Sequence, residues 1–305
     1  MTDDRLAVSV PIATVWTSPH APRKADADAV ADHPDVAAWT DTLDTEERLG
    51  LHGRTLTQAL LGEPLEVVGE REHWLEVVLP WQPSSSSIHG YRGWVRSTHV
   101  GPAAADSETR VVVVAPSAVL HTDFGPMPVS YGTILPLLRA DDEVLHVATP
   151  AGTAQVRRDD ATVRHQPADP LDTGWMLHSA RQFLGLRYMW GGTSGWGFDC
   201  SGLVHLVHRA AGVTLPRDAF DQAAAVPEVP LDDADPGDLY FFAQPGGRVF
   251  HVGFATSGPP HDPRRMLHAP ETGDLLEEAP MARRRSATLV SAGRAGELAV
   301  PGADR

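Results

Sequence analysis

Short apolar segments separated by glycine and proline turns run through the chain and limit what it can fold into. There are 27 glycines and 26 prolines among 305 residues. Because proline interrupts helices and glycine weakens them, long helices are not expected. Hydrophobic residues make up 42% and charged residues 21%, which excludes a wholly disordered chain. The pattern predicts an α+β protein rich in turns.

The first two parts of the chain are degenerate copies of each other. Each copy begins with an apolar strand and a turn, and continues with two further strands around a polar turn. The matching segments are residues 8–19, 62–68 and 74–79 in the first copy and residues 111–125, 132–138 and 144–148 in the second. Leu75, Val77 and Leu79 alternate with other residues, as half-buried strands do. Short strands at this spacing predict two small β-barrels.

Composition shifts divide the chain into three units and a tail. The predicted units are a first barrel, a second barrel, a third domain and a loose end, at residues 1–101, 109–165, 171–292 and 293–305. The segments at residues 102–108 and 165–172 have linker composition. An Ala/Asp/Glu-rich stretch from Ala25 to Gly53 carries Trp39, Leu43 and Leu49, which predicts a helical insertion in the first barrel.

The third part combines helices with strands. Asp172 or Thr173 can cap a first helix that ends at Gly185, and a second helix is predicted from Asp199 to Gly212. Three strands follow, at residues 239–243, 249–255 and 266–269. The turn at residues 245–248, with sequence PGGR, predicts that the first two form a hairpin.

Cys200 is the one cysteine in the chain, so an internal disulfide is excluded. It lies near the end of a segment with five glycines, YMWGGTSGWGFDCSG at residues 188–202, and Asp199 is placed to cap the helix that starts at Cys200. A helix N-terminus stabilises a thiolate, and its backbone N–H groups can face a developing oxyanion. Cys200 is therefore predicted to be an ionised nucleophile.

Two histidines stand out as partners for Cys200. His251 interrupts the apolar strand VFHVGF, and His268 lies in MLHAP on the next strand. If these strands pair, His268 can fix the tautomer of His251. Two competing readings are satisfied core histidines and a zinc site made with Cys200. The absence of a paired cysteine or an HxH spacing argues against zinc, so no metal ion and no cofactor are expected.

Six short motifs give the third part a specific resemblance. They are YMWGG (188–192), GFDCSG (197–202), LPRD (215–218), PGDL (236–239), HVG (251–253) and HAP (268–270). In this order they resemble the NlpC/p-sixty family of cysteine peptidases. The resemblance implies a papain-like α+β catalytic domain in which Cys200 is the nucleophile, His251 the base and His268 the orienting residue. It also implies that Tyr188 lines the active site.

The first part adds a second resemblance. Its closing strand GYRGWV (90–95) resembles bacterial SH3-like domains, although Val144 stands in the second copy where the first has Trp74. Two SH3-like barrels before such a peptidase resemble the γ-D-glutamyl-L-diamino acid endopeptidases, which cleave after an L-Ala-γ-D-Glu unit with a free N-terminus. The resemblance implies substrate-binding residues on both sides of the site: Glu63, Tyr91, Trp190, Asp199, Ser201 and Asp218.

Three of these residues also have explanations that involve no contact with substrate. A glutamate such as Glu63 is usually solvated, Tyr91 can be barrel packing, and Asp218 can be only a helix cap. Ala219 follows Asp218 where relatives can carry serine, so one hydrogen bond to the substrate carboxylate is missing or replaced. His205 and His208 are interpreted as surface residues of a helix, and the arginine run 283–285 as a solvated patch.

Charge and hydropathy restrict the partners. The chain has 25 basic and 40 acidic residues, a formal charge of −15, which argues against nucleic acid. No apolar run approaches a membrane span. The acidic N-terminus does not resemble a signal peptide, so a cytoplasmic protein is expected, or a secreted one if a leader has been removed. The expected partner is a small murein peptide, L-Ala-γ-D-Glu-diamino acid, met by a monomer during cell-wall peptide recycling.

Three rival functions remain open from the sequence. An exported hydrolase would cut intact stem peptides of the wall. An acyl-transfer enzyme would use the same Cys–His pair on a different substrate. A non-catalytic module would bind wall peptides without cleaving them.

Overall fold

The structure is a computed structural model, and it describes residues 5–165, 171–257 and 263–297. Residues 166–170 of the predicted linker and residues 298–305 of the predicted tail lie outside the described residues. Within the described part, no helix has both the length and the apolar composition that a membrane span requires.

The first barrel is a seven-stranded sheet with the order β3-β2-β6-β5-β4-β1-β7. Its strands are β1 (Leu6–Val8), β2 (Ile12–Trp16), β3 (Thr55–Leu60), β4 (Pro64–Arg71), β5 (Trp74–Leu79), β6 (Tyr91–Arg96) and β7 (Val100–Pro102). The alternating residues Val77 and Leu79 are buried with Val15 and Val95 in one apolar cluster. Burial of this one face holds the register of the strands.

Three short helices lie between β2 and β3, where the sequence predicts a helical insertion. They are α1 (Ala27–Val30), α2 (Val36–Thr42) and α3 (Thr45–Leu49). The Asp44 side chain accepts a hydrogen bond from the backbone N–H of Glu47 and so caps α3. Trp39 of α2 is fully buried, with its ring 6.1 Å from that of Trp16 in β2. The helices are therefore fixed to the barrel by apolar packing.

The second barrel repeats the topology of the first. Its strands are β8 (Thr109–Val113), β9 (Ser117–Thr122), β10 (Gly125–Ser130), β11 (Ile134–Ala140), β12 (Val144–Thr149), β13 (Gly152–Arg157) and β14 (Ala161–His165). Their order, β10-β9-β13-β12-β11-β8-β14, matches that of the first barrel strand for strand. The repeat that the sequence indicates is therefore a repeat of topology.

The third part places helices against one antiparallel sheet, which confirms the predicted α+β class. The helices are α4 (Thr173–Arg181), α5 (Cys200–Ala210), α6 (Ala219–Ala225) and α7 (Arg283–Ser286). The strands are β15 (Thr193–Ser194), β16 (Gly197–Phe198), β17 (Glu228–Val229), β18 (Leu239–Ala243), β19 (Val249–Ala255), β20 (Arg265–His268), β21 (Glu277–Pro280) and β22 (Leu289–Gly293). Apart from the small β15–β16 ribbon, these strands form a sheet with the order β17-β22-β18-β19-β20-β21.

Two sequence-based expectations need correction here. The predicted loose end at residues 293–305 starts too early, because Gly293 is the last residue of β22 and Arg294 pairs with Asp238 at 2.8 Å. His205 and His208 are not surface residues. Both are fully buried in α5, and their Nδ1 atoms lie 2.8 Å from backbone oxygens. The sequence showed neither, because both depend on what packs against the segment.

A chain of buried polar groups joins the first barrel to the third part. Arg209 of α5 donates to Glu63 at 2.9 Å, and Gln82 donates to the other Glu63 oxygen at 2.8 Å. Thr57 donates to Gln82 at 2.7 Å and accepts from Arg217 at 2.8 Å. All five side chains are at most 5% exposed. Buried charges are tolerated only when their polar atoms have hydrogen-bond partners. This network therefore favours one arrangement of the first barrel against the third part and excludes water from it.

Replacing Glu63 tests this interface. We expect Glu63→Ala to lower the free energy of unfolding by about 3–5 kcal/mol, because Arg209 keeps its charge in a buried place without a partner. The matched control is Glu76→Ala, which breaks the more exposed pair with Arg92 and is expected to cost about 1 kcal/mol or less. Urea unfolding followed by tryptophan fluorescence measures both. Equal losses in the two variants would contradict the buried network.

Candidate active site

Cys200 is the first residue of α5, where the sequence places it. The Asp199 side chain caps the helix by accepting the backbone N–H of Gly202 at 2.7 Å. The Cys200 sulfur receives backbone hydrogen bonds from Val252 and Ser201. Val252 directly follows His251 in β19, so the sulfur lies against the strand that carries the predicted base.

His251 and His268 meet across neighbouring strands. His251 Nε2 lies 2.8 Å from His268 Nδ1, and the two rings are 5.0 Å apart and nearly perpendicular. Glycine is needed at position 253, because a Cβ there would lie 2.9 Å from the Cβ of His268. The His268 Nε2 atom in turn lies 3.4 Å from Glu277. With Nε2 engaged, Nδ1 is the nitrogen that His251 has left for proton transfer.

The pKa shifts in the site differ from the sequence-based expectation. Burial raises the pKa of the Cys200 thiol to about 12, and the Asp199 charge adds to this, against the hydrogen bonds from Val252 and Ser201. Burial also holds the pKa of His251 well below its usual value and lowers that of His268 to about 3. Burial thus favours a neutral thiol beside neutral imidazoles in the resting site. It opposes the thiolate that the helix N-terminus favours, and the ionisation of Cys200 stays a prediction.

Arg217 is the site residue that sequence reasoning missed. Its guanidinium is 1% exposed and binds both oxygens of Asp199, at 2.9 and 2.7 Å. It also donates to Ser201 Oγ at 3.1 Å. Asp199 further accepts the N–H of Gly191, whose φ of +74° favours glycine. The LPRD motif contains Arg217, and a cation directly after the apolar pair Leu215-Pro216 was the available signal.

Asp199 and Ser201 therefore hold the site together. Their polar groups are occupied by Arg217 and by the start of α5. Direct contact of either residue with substrate stays a prediction.

The first barrel contacts the third part next to Asp199 and Cys200 through several side chains. Tyr91 of β6 donates its hydroxyl to Asp218, with oxygen distances of 3.0 and 3.2 Å. Trp190 donates its indole N–H to the backbone oxygen of Thr55 at 3.2 Å, and its ring stacks on His52 at 4.1 Å. These contacts bring Tyr91, Trp190 and Asp218 to the boundary between the barrel and the catalytic part.

Tyr188 also lies near the nucleophile. It is 5% exposed, and burial, together with the nearby Asp199 charge, holds its pKa well above the usual value. Its hydroxyl therefore stays neutral and can serve only as a hydrogen-bonding group. The predicted lining role of Tyr188 fits this position.

Glu63 is not brought to Cys200. Both of its oxygens are occupied, by Arg209 and the N–H of Leu60 on one side and by Gln82 on the other. Arg209 lies nine positions after Cys200 in α5, roughly 13 Å along the axis at about 1.5 Å per residue. This corrects the expectation of a substrate-binding carboxylate at Glu63. Its chemistry suits an ammonium, but a buried arginine already uses it.

A cysteine at a helix start, beside a strand histidine that a second ring orients, defines a cysteine hydrolase of the papain type. A family model described as NlpC/P60 family matches residues 185–292, and one described as YKFC SH3b2 domain matches residues 113–163. The SH3-like match thus falls on the second barrel.

Two relatives and one solved structure cover most of the chain. It is 36% identical over 273 residues to a gamma-D-glutamyl-L-lysine dipeptidyl-peptidase of Bacillus subtilis, over 87% of this chain and 90% of the relative. A Bacillus cereus protein of the same name is 33% identical over 296 residues, 92% of this chain and 87% of the relative. The crystal structure of an NlpC/P60 family protein from Bacillus cereus matches with a TM-score of 0.89 and 31% identity, covering 95% of this chain and 99% of that one. The chain belongs to the NlpC/P60 family and is a cysteine peptidase.

Alkylation of the single cysteine tests the neutral resting state. Because burial raises the pKa of Cys200 to about 12, the rate of labelling by iodoacetamide should keep rising up to pH 10. A free cysteine, with a pKa of about 8.5, serves as the control, because it is more than nine-tenths ionised above about pH 9.5 and its rate levels off there. Mass spectrometry of the labelled protein measures the rate. A rate independent of pH between 6 and 9 would show a preformed thiolate instead.

Proposed function

We propose that this peptidase hydrolyses the γ-D-glutamyl-L-diamino acid bond of murein peptides that begin with a free L-Ala. The observation that carries the proposal is the Tyr91–Asp218 pair, which sits where the first barrel meets the catalytic part. The names of the two Bacillus relatives support the same bond type. The division into units at residues 1–101, 109–165 and 171–292 is part of the proposal, with the first unit closing the site.

Asp218 is suited to bind the substrate ammonium. It is the N-cap residue of α6, but its side chain accepts no capping hydrogen bond, so a purely capping role is not supported. Its one hydrogen-bond donor among the described residues is the Tyr91 hydroxyl. Burial raises the pKa of this carboxyl, while Arg217 opposes the rise. A largely buried carboxylate with a single neutral donor gains strongly from a cation.

The catalytic steps follow from the neutral resting pair. When substrate is bound, His251 Nδ1 takes the thiol proton as the Cys200 sulfur attacks the γ-carbonyl of D-Glu. Cys200 leads α5, where backbone N–H groups lack intrahelical acceptors and can stabilise the oxyanion. His251 then protonates the leaving amine, and water hydrolyses the thioester. His268 holds the ring of His251 in place throughout.

The ammonium pocket has a consequence for the biological substrate. In an intact wall strand the amino group of L-Ala is acylated by the sugar's lactyl group and carries no charge. A site that requires the free ammonium therefore acts on released peptides, which fits cell-wall peptide recycling. An exported hydrolase of intact stem peptides would not need this pocket.

The nucleophile is tested directly. Cys200→Ala and Cys200→Ser should abolish hydrolysis of L-Ala-γ-D-Glu-L-Lys and of the matching meso-diaminopimelate peptide. Serine keeps an oxygen at the position, but its proton is far harder to remove by a neutral imidazole. Mass spectrometry of the products identifies the bond cut. Full activity in either variant would exclude the mechanism, and an inactive wild-type chain would favour a binding module.

The ammonium pocket is tested by substrate pairs. Wild-type protein should cleave the free-amine tripeptide at least about 100-fold better than its N-acetyl form, given the strength of charge-assisted hydrogen bonds. Asp218→Asn should reduce this ratio tenfold or more. Asp232→Asn, at a side chain that is 93% exposed, is the matched control and should keep the ratio. Similar rates for both peptides with wild-type protein would point to the stem-peptide hydrolase.

A further inference from the structure

Arg285 extends the row of catalytic side chains. Phe242 of β18 pairs directly with His251 of β19, so their side chains share one face of the sheet, with ring centres 5.4 Å apart. The guanidinium carbon of Arg285, on α7, lies 5.5 Å from the centre of the Phe242 ring. His268, His251, Phe242 and Arg285 therefore follow one another across the sheet. The ring of Phe242 thus separates Arg285 from His251, the proposed base.

Arg285 forms no ion pair within the described part of the chain, although the charges of Glu271 and Asp274 act on it from a greater distance. Its neighbour Arg284 pairs with Glu271 at 3.4 Å, and Arg283 points into solvent with its residue exposed. Arg285 is half-buried, and its guanidinium makes no hydrogen bond or ion pair among the described residues. The expected solvated patch thus holds only for its first two members. Burial lowers the pKa of Arg285, as it does for a cation partly removed from water.

A half-buried guanidinium without an acceptor is suited to bind an anion. Its planar N–H donors match a carboxylate in a two-pronged geometry, and the ring of Phe242 supports the plane of the group. Lysine would supply the charge but not this geometry. The guanidinium of Arg285 therefore favours a carboxylate bound beside Phe242.

The position of Arg285 indicates which part of the substrate it meets. His251 has to protonate the leaving amine, so the leaving diamino acid lies against His251. Arg285 lies on the His251 side of the site, next to Phe242, whereas Tyr91 belongs to the barrel and Asp218 to the start of α6. The amino-terminal end of the substrate and the leaving group are thus met by different groups.

We propose that Arg285 binds a carboxylate of the leaving diamino acid, an inference that rests on the proposed function. Two carboxylates have the required chemistry. One is the α-carboxylate, which both lysine and diaminopimelate carry at the end of a tripeptide. The other is the side-chain carboxylate that only diaminopimelate carries. In either case Arg285 determines specificity for the leaving group and takes no part in the bond-breaking steps.

The test compares kcat/KM for three peptides. They are L-Ala-γ-D-Glu-L-Lys, its C-terminal amide, and L-Ala-γ-D-Glu-meso-diaminopimelate. If Arg285 binds the α-carboxylate, wild-type protein prefers the acid over the amide by about tenfold to a hundredfold, and Arg285→Gln removes the preference. If it binds the side-chain carboxylate, the preference for diaminopimelate over lysine is the one that disappears.

Ratios separate binding from an indirect effect. Arg285 also lowers the pKa of both catalytic imidazoles, but that effect changes the rate for every peptide alike and cancels in a ratio. Arg283→Gln, on the same short helix, is the matched control and should keep both wild-type ratios. Arg285→Lys, which retains the charge, should give an intermediate ratio and covers the case in which the glutamine variant misfolds.

The outcomes distinguish this inference from the proposed function. If wild-type protein cleaves the peptides but Arg285→Gln and Arg285→Lys keep both ratios, the assignment of Arg285 is wrong and the proposed function stands. If wild-type protein discriminates by neither carboxylate, the assignment is also wrong. If wild-type protein cleaves none of the three peptides, the proposed function fails and this inference fails with it.

Discussion

The buried ion pair between Arg217 and Asp199 is the interaction on which the site depends. Arg217 binds both oxygens of the carboxylate that caps α5, and it also reaches Thr57 of the first barrel. Taking two charges out of water is costly and is offset only when the partners are complete. The same group therefore fixes the helix start that carries Cys200 and the barrel that covers it. Losing Arg217 would leave a buried carboxylate directly beside the nucleophile.

Burial explains the chemistry of the site. Groups removed from water favour their neutral forms, so burial raises the pKa of the Cys200 thiol and lowers that of His251. Among buried groups, interactions with substrate charges are strong. In the proposals made above, Asp218 would face a substrate ammonium and Arg285 a substrate carboxylate. Substrate binding and the start of the reaction would thereby be linked.

The two barrels share a strand order but serve the site differently. The first supplies contacts across the site boundary, such as those of Thr55 with Trp190. The second barrel contacts the catalytic part at the turn between β15 and β16, where Ser130 accepts the N–H of Gly195 at 2.8 Å. That turn leads directly into Asp199. The two copies of the same fold thus contact different segments of the catalytic part.

The sequence alone indicated the repeated strands of the barrels, the start of α5 and the proposed catalytic set, because caps, turn residues and apolar alternation act over short distances. Cys200 at a helix start and His251 in an apolar strand were readable in this way. Tertiary structure decided the partner of Glu63, the central position of Arg217, the unpaired charge of Arg285 and the pKa shift of the thiol. Each of these features depends on burial and on charges that are distant in the sequence. The local sequence pattern does not show which residues the fold brings into contact or which groups it removes from water.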